Sequence, residues 1–414
     1  MTFWVINYPA RRLVYGYNFS MDEIQRLQAK GITPIGRVNH QDDNRLFGIK
    51  DKDRLGHIYV IGKTGVGKST LLLNMAISDA QRGNGFAIID PHGDLSDEIM
   101  LHVPKNRLRD VIFFDPIDTL HPIGFNPLQS VKSEFHSLIA SGLISTFKKM
   151  WIESWGPRME HILRFTILTL LEYSGATLLD IQPLLTDKEF RKEVLNHSQN
   201  PTIQAFWQNE FDRFSPKMQA EMVSPIINKT SLFLTSIPLR SIVGQKESSF
   251  KMQQVMDSGR IFIAKLSKGL LGEDVTTLIG SMLVTFIQLS AMNRASLPEA
   301  ARRHFYLYID EAHSFISLSF ADILSEARKY RLGLFITHQY IEQLQEPIRK
   351  AIFGNIGTLI CFRVGSKDAE FLEKEFLPEF ISLDLVSLPR FSIFIKLMID
   401  GTTSRPFSGE NVLE

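Results

Sequence analysis

Eight residues near the start of the chain constrain its fold more than any other feature. Gly62-Lys63-Thr64-Gly65-Val66-Gly67-Lys68-Ser69 fits the pattern G-x-x-x-x-G-K-[ST], between the apolar run His57–Ile61 and an amphipathic stretch from Ser69 onward. A strand, a glycine loop and a helix in that order form a phosphate-binding loop. Glycines let the backbone curl until successive N–H groups point inward at an anion. The helix N-terminus adds partial positive charge. Gly62 to Thr70 is therefore the expected cradle for the phosphates of ATP. Within it Lys68 suits the β- and γ-phosphates, and the Ser69 hydroxyl suits Mg²⁺.

Such a loop needs a sheet behind it, and the chain supplies the strands. Apolar, β-rich runs recur at Phe86–Asp90, Val111–Asp115, Ile261–Leu266, Phe305–Ile309, Leu334–Thr337, Thr358–Arg363 and Ile393–Ile399. Most are continuously apolar rather than alternating, as strands buried on both faces are. The expected fold class is α/β: a P-loop NTPase whose mainly parallel, RecA-like sheet is flanked by helices. Between residues 131 and 236 the texture changes. MEHILRFTILTLLEYS, DKEFRKEVLNH and TIQAFWQNEFDRF carry apolar residues at helical spacing and almost no strand-like runs. The expected organisation is a short N-terminal segment (1–56, with one helix around Met21–Lys30), an α/β domain from 57–130 and 237–414, and an all-helical insertion over 131–236.

Composition narrows the function classes. Lys plus Arg is 46 and Asp plus Glu is 45, a formal net charge of +1. That excludes a wholly basic nucleic-acid binder and leaves room for a local basic patch. The single cysteine, Cys361, excludes an intramolecular disulfide and a Cys-rich zinc site. The N-terminus MTFWVINYPARR lacks the basic start and apolar run of a secretory signal. The stretch between Asp274 and Arg294 is uncharged but rich in Thr and Ser, which suits a buried core helix better than a membrane span. A soluble, cytoplasmic protein with no direct membrane span is expected, any membrane contact being made through partners.

Two strands end in carboxylates. Phe86–Asp90 ends 22 residues after Lys68 (90 − 68), and Phe305–Ile309 runs into Asp310-Glu311, with 310 − 68 = 242. An acidic pair directly after five apolar residues falls at the sheet edge where ligands bind. Asp310 is the expected partner of the Mg²⁺ shell and Glu311 the carboxylate that polarises the attacking water. Asp90 either orients the site from the adjacent strand or caps its own turn. The strand Leu334–Thr337 ends at His338-Gln339. Gln339 is the expected sensor of the γ-phosphate, with His338 as alternative. Arg328, or Arg331, is placed to serve a neighbouring subunit's nucleotide. Arg240, Lys246, Lys265 and Lys268 are candidate basic residues of a pore.

These pieces together resemble the HerA/FtsK superfamily of ring-forming motor ATPases, and within it the TraD/TraG-type coupling proteins of conjugation and type IV secretion. The matching stretches include HIYVIGKTGVGKSTLLLNM, GFAIIDPHGDL, DVIFFDP, WGPRMEHILR, LSKGLLGE, LYIDEAHSF and LSEARKYRLGLFITHQ, spread from about residue 57 to 365. The resemblance implies an ATP-hydrolysing motor, with ATP and Mg²⁺, that forms a homohexamer and translocates single- or double-stranded DNA. It places the family's motor arginine on Arg328 and its sensor glutamine on Gln339. It also implies relaxase, nuclease or secretion-channel partners. Membrane-bound members carry an N-terminal transmembrane pair and HerA-type motors an N-terminal barrel. Residues 1–56 resemble neither, so a soluble motor core is expected.

Other readings fit less well. A superfamily 2 helicase shares Asp310-Glu311-Ala312-His313 but needs a second motor domain. An ABC-type ATPase needs a Ser-Gly-Gly-Gln signature that the sequence lacks. A secretion or assembly ATPase that moves polypeptides rather than DNA remains as the alternative, because a few basic residues lining a pore serve either cargo.

Overall fold

The computed structural model describes residues 21–39, 44–129, 132–318 and 320–411; residues 1–20 of the N-terminal segment lie outside it. The strands in chain order are β1 (Ile32–Val38), β2 (Leu46–Lys50), β3 (Ile58–Ile61), β4 (Gly85–Asp90), β5 (Val111–Phe114), β6 (Ile261–Lys265), β7 (Phe305–Ile309), β8 (Leu332–His338), β9 (Thr358–Cys361), β10 (Ser392–Lys396), β11 (Met398–Ile399), β12 (Thr402–Thr403) and β13 (Phe407–Asn411). Eleven of them form one sheet in the order β2-β1-β13-β10-β9-β3-β8-β7-β4-β6-β5, and β11 and β12 pair apart from it. The seven strands from β9 to β5 are parallel. The other four extend the sheet antiparallel.

The continuous apolarity of the parallel strands has a direct cause. Along β3, Ile58 and Val60 pack on one face with Leu71, Leu72 and Met75 of the helix that follows the phosphate loop. Tyr59 and Ile61 point to the other face and join a second core. Both sets are excluded from water, so neither half of the alternation is polar. The helix after β3 is Lys68–Arg82. A second core-facing helix, Asp94–His102, follows β4.

Between β5 and β6 the described residues contain helices and no strand. Helices His136–Met150 and Pro157–Leu171 lead this section. Their Phe147, Ile162 and Leu163 share one apolar cluster with Tyr59, Ile61 and Ile89 of the sheet, so the section packs directly on that face. It runs past residue 236, because helices Ile237–Val243 and Met252–Ser258 precede β6. The segment Glu273–Ser296 is long and apolar enough to cross a membrane, but 83% of its apolar window is buried inside the protein.

Residues 32–50 differ from the expectation of a short separate segment, since they form β1 and β2 at the sheet edge. The sequence concealed them for a physical reason. Pro34 and Gly36 read as loop punctuation, yet Pro34 lacks an N–H and sits where the β1–β2 register shifts, as a bulge allows. At Gly36 a Cβ would lie 2.1 Å from the Glu410 carbonyl oxygen of β13, so only glycine permits the pairing.

Candidate functional site

The parallel strands bring their C-terminal ends to one edge. β8 lies between β3 and β7, and β4 lies beyond β7. The phosphate loop, His338-Gln339, Asp310-Glu311 and Asp90 therefore emerge side by side, as the spacing of the motifs required. A cleft at this edge is lined by Thr64, Gly67, Lys68, Ser69, Asp310, Glu311 and Gln339, among others. Gly62, Lys63, Gly65, Val66 and Thr70 complete the loop around it.

The loop is tied down from several sides. The Gly62 N–H donates to the His338 carbonyl at 3.3 Å, and the Lys63 N–H to the Arg363 carbonyl at 2.9 Å. Gly67 has φ +119°, and a Cβ there would lie 2.7 Å from the Phe391 ring. Lys68 is buried and donates to the carbonyls of Gly62 at 2.5 Å and Lys63 at 2.8 Å. Burial lowers its pKa, while Asp310 and Glu311 pull the other way. Ser69 is exposed in the first turn of its helix.

Asp310 is buried and accepts from the Thr337 hydroxyl at 2.6 Å. Burial raises its pKa; the Thr337 bond opposes this, and the nearby Asp90 and Glu311 carboxylates add to it. A site that holds Asp310 this way favours an arriving cation. Glu311 has φ +46°, uncommon for a residue with a Cβ. Its N–H donates to Thr337 Oγ1 at 3.0 Å. Its carboxylate takes a hydrogen bond from the Gln339 amide and stands 3.4 Å from His92 Nε2. Gln339 also meets Thr64 at 3.2 Å, which links Glu311 to the phosphate loop. Backbone outliers of this kind concentrate where function over-determines the geometry.

Asp90 resolves into the capping role. Its two oxygens accept from the N–H groups of His92, Gly93 and Ser96 and from the Ser96 hydroxyl, at 2.8–2.9 Å. It acts on the cleft by fixing the turn that carries His92 and by its charge on Asp310. His338, the alternative sensor, is fully buried, and among the described residues both its ring nitrogens lack a hydrogen-bond partner. Its ring lies between those of Tyr59 and His313, so it does not line the cleft.

Arg328 sits at the opposite edge, in the turn Ala327–Tyr330 that precedes β8. The seven residues of β8 put it about 20 Å from its own cleft. It is exposed and makes no side-chain hydrogen bond or ion pair among the described residues. Arg331 differs, being paired to Glu299 at 3.0 Å. Two of the pore candidates are paired as well: Lys265 with Asp97 at 2.7 Å and Lys268 with Glu273 at 2.9 Å. Arg240 and Lys246 are exposed on the helical section.

The sequence reading missed Thr337, His92, Arg390 and Phe391. Thr337 was legible only as the last residue of an apolar strand. Arg390 and Phe391 line the cleft from more than 300 residues downstream of the loop (390 − 69 = 321), with no motif to announce them.

The model of the type IV secretion-system coupling protein DNA-binding domain matches residues 48–376, most of the chain. The chain belongs to this family. Solved structures agree in fold at low identity. The bacterial conjugative coupling protein TrwBΔN70 superposes with a TM-score of 0.63 at 16% identity, over 94% of this chain and 91% of that one. Plasmid coupling protein TrwB in complex with ADP and Mg²⁺ gives 0.62 at 17%, over 94% and 92%. VirB4 of Thermoanaerobacter pseudethanolicus gives 0.63 at 15%, over 92% and 96%. No curated protein matches the chain in sequence. The sheet and its cleft are those of a RecA-like P-loop NTPase.

Proposed function

We propose that this coupling-family protein is an ATP-hydrolysing ring motor that translocates DNA. The observation that carries the reading is the meeting of Lys68, Ser69, Asp310, Glu311 and Gln339 in one cleft of a chain from a DNA-binding coupling family. Among the described residues no three His, Cys, Asp or Glu side chains cluster to hold a metal by themselves. The Ser69 hydroxyl and the Asp310 carboxylate in the cleft fit Mg²⁺, which is held by few protein ligands together with substrate phosphates. Ser69 and Asp310 are its protein partners, and the ion would neutralise charge on the phosphates.

Lys68 leaves the Gly62 and Lys63 carbonyls to meet the β- and γ-phosphates. Glu311 orients and polarises the attacking water, and Gln339, joined to it by a hydrogen bond, reports the γ-phosphate to Glu311. Arg328 reaches a neighbour's nucleotide, because its own lies across the sheet. A head-to-tail contact of that kind closes into a ring, here a homohexamer. The helical section forms its own layer at one mouth of the ring, and the protein works at the cytoplasmic side of a secretion channel, with relaxase or channel proteins as partners.

Hydrolysis rates measured with single-stranded DNA, double-stranded DNA, RNA and an unfolded polypeptide test this. DNA should raise turnover, and its binding should weaken steeply with salt as counterions are released. Stimulation by polypeptide with none by DNA would replace this reading with the polypeptide-moving one.

A further inference from the structure

Behind Glu311, on the side away from the nucleotide, the helical section meets the turn that follows the acidic pair. A second cleft opens there. Lys148, Lys149 and Ile152 line it from the end of helix His136–Met150, and His313, Leu318 and Gln343 from the α/β side. No carboxylate lines it. Its donors exceed its acceptors. Among the described residues Lys149 Nζ makes one hydrogen bond, to the His313 carbonyl at 2.9 Å, which leaves two of its three donors for a ligand. Gln343 Oε1 accepts from the N–H groups of Gln339 and Tyr340, so its amide NH₂ faces His313 Nε2 at 3.3 Å. His313 must then carry its proton on Nδ1, and that atom is buried without a partner. Burial pushes Lys149 down to about 7 and lowers His313 as well. A lysine with donors to spare, in a cleft whose lining holds no carboxylate, describes a site that lacks its anion.

We propose that this cleft binds a backbone phosphate of the transported nucleic-acid strand through Lys149, and that the contact, passed on by the His313 carbonyl, acts on Glu311. The inference rests on the DNA-motor reading above and adds where the strand is sensed. Ile152 and Leu318 stand exposed at the rim, 60% and 49%, as apolar surface for a base or sugar beside the phosphate. The link to hydrolysis is short. Lys149 holds the carbonyl of His313, two residues beyond Glu311, and Gln343 holds the N–H of Gln339, which bonds the Glu311 carboxylate. A phosphate that draws the ammonium away from the His313 carbonyl frees the turn on which the strained Glu311 backbone depends.

Two measurements test it. In the first, hydrolysis with and without oligodeoxythymidine is compared in the wild type, Lys149→Met and Lys149→Arg. The stimulation ratio should fall to about one in Lys149→Met and return in Lys149→Arg. The slope of log affinity against log salt should drop by about 1 in Lys149→Met, because that variant neutralises one phosphate fewer. In the second, the wild-type protein is acylated near neutral pH, where a lysine with a depressed pKa is reactive. Mass spectrometry should find Lys149 modified, and saturating oligonucleotide should protect it. The second measurement needs no variant to fold. Stimulation equal in Lys149→Met and wild type, or acylation unaffected by the strand, overturns this inference and leaves the motor reading standing. Inorganic phosphate that stimulates as well as the strand overturns it too, since the site would then serve free anions. A wild type that ignores every nucleic acid overturns both.

Discussion

The two edges of the parallel sheet carry similar chemistry arranged to opposite ends. At the N-terminal edge Arg54 is buried and bidentate to Asp79 at 2.7 and 2.8 Å. It also donates to Thr33 and Tyr308 and lies 3.4 Å from the centre of the Tyr306 ring. Beside it His57, lowered to about 4 by burial, donates through Nε2 to the Leu324 carbonyl and accepts the Leu334 N–H at Nδ1. At the C-terminal edge, among the described residues, Lys68 bonds only loop carbonyls, the Asp310 carboxylate one hydroxyl, and Glu311 stands on a strained backbone. Charges that the chain satisfies for itself hold the fold together. Charges it leaves half-satisfied wait for a ligand. Arg328 departs from the pattern, a cation at the satisfied edge with no side-chain hydrogen bond or ion pair among the described residues, and the proposed ring would give it a partner in the neighbouring subunit.

The comparison breaks first at Glu311. Glu311→Gln keeps the shape and removes the carboxylate, so ATP should bind while hydrolysis falls by about 10³-fold. Lys68→Ala should lose nucleotide binding itself, read by a fluorescent analogue. Neither change should lower Tm by several degrees, because both groups are only partly satisfied where they stand. A drop of several degrees in either would place structural weight on the catalytic edge. Arg328→Ala should lose turnover by about 10³-fold with ATP binding kept. Mixing it with Glu311→Gln protein should restore some activity, as intact sites form between unlike subunits. No recovery in mixed rings confirmed by mass would confine Arg328 to its own subunit.

The opposite edge should respond in stability. Arg54→Met leaves Asp79 buried without its cation and should cost about 3–5 kcal/mol in denaturant unfolding. Nucleotide affinity in the folded fraction should be unchanged. A variant of normal stability with impaired ATP binding would erase the distinction between the edges.

How much of this was legible in the sequence follows the same division. The parallel strands were legible because burial on both faces writes unbroken apolar runs, and the cleft because phosphate chemistry restricts residue types at fixed spacing. The antiparallel strands β1, β2 and β13 were not, since glycine and proline there serve close pairing and a bulge rather than a loop. His338 read as the alternative sensor, behind Gln339, by position alone. Strand alternation turns it toward Tyr59 and the core, while Gln339, one residue on, faces the cleft. Asp90 and Asp310 look alike in sequence. Only the N–H groups that converge on Asp90 separate a cap from a site carboxylate. Lys149, in FKKMW, belongs to no motif, and nothing in a linear pattern says which helix end will be covered.

The finest test of the comparison is Arg390, the cleft residue furthest from the loop in sequence. It is exposed, and its side chain makes no hydrogen bond or ion pair among the described residues; its guanidinium lies 4.6 Å from the centre of the Phe391 ring. Phe391 adopts φ +68°, unfavourable for an aromatic residue. Its N–H donates to the Val66 carbonyl at 2.9 Å, and its carbonyl accepts the Asn411 N–H at 2.8 Å. Asn411 in turn donates through its side chain to the Gly67 carbonyl at 3.2 Å. The last strand of the sheet thus holds Phe391, and with it Arg390, beside the phosphate loop through backbone bonds and the Asn411 amide, with the Arg390 guanidinium making none of them. Because it approaches from the side away from Asp310 and Glu311, it should hold ground state and transition state equally. Arg390→Ala should therefore raise KM for ATP by about tenfold and leave kcat within about twofold, with Arg390→Lys between them. A fall in kcat at constant KM would move Arg390 to the reacting phosphate, and no change in either would return it to the solvated surface.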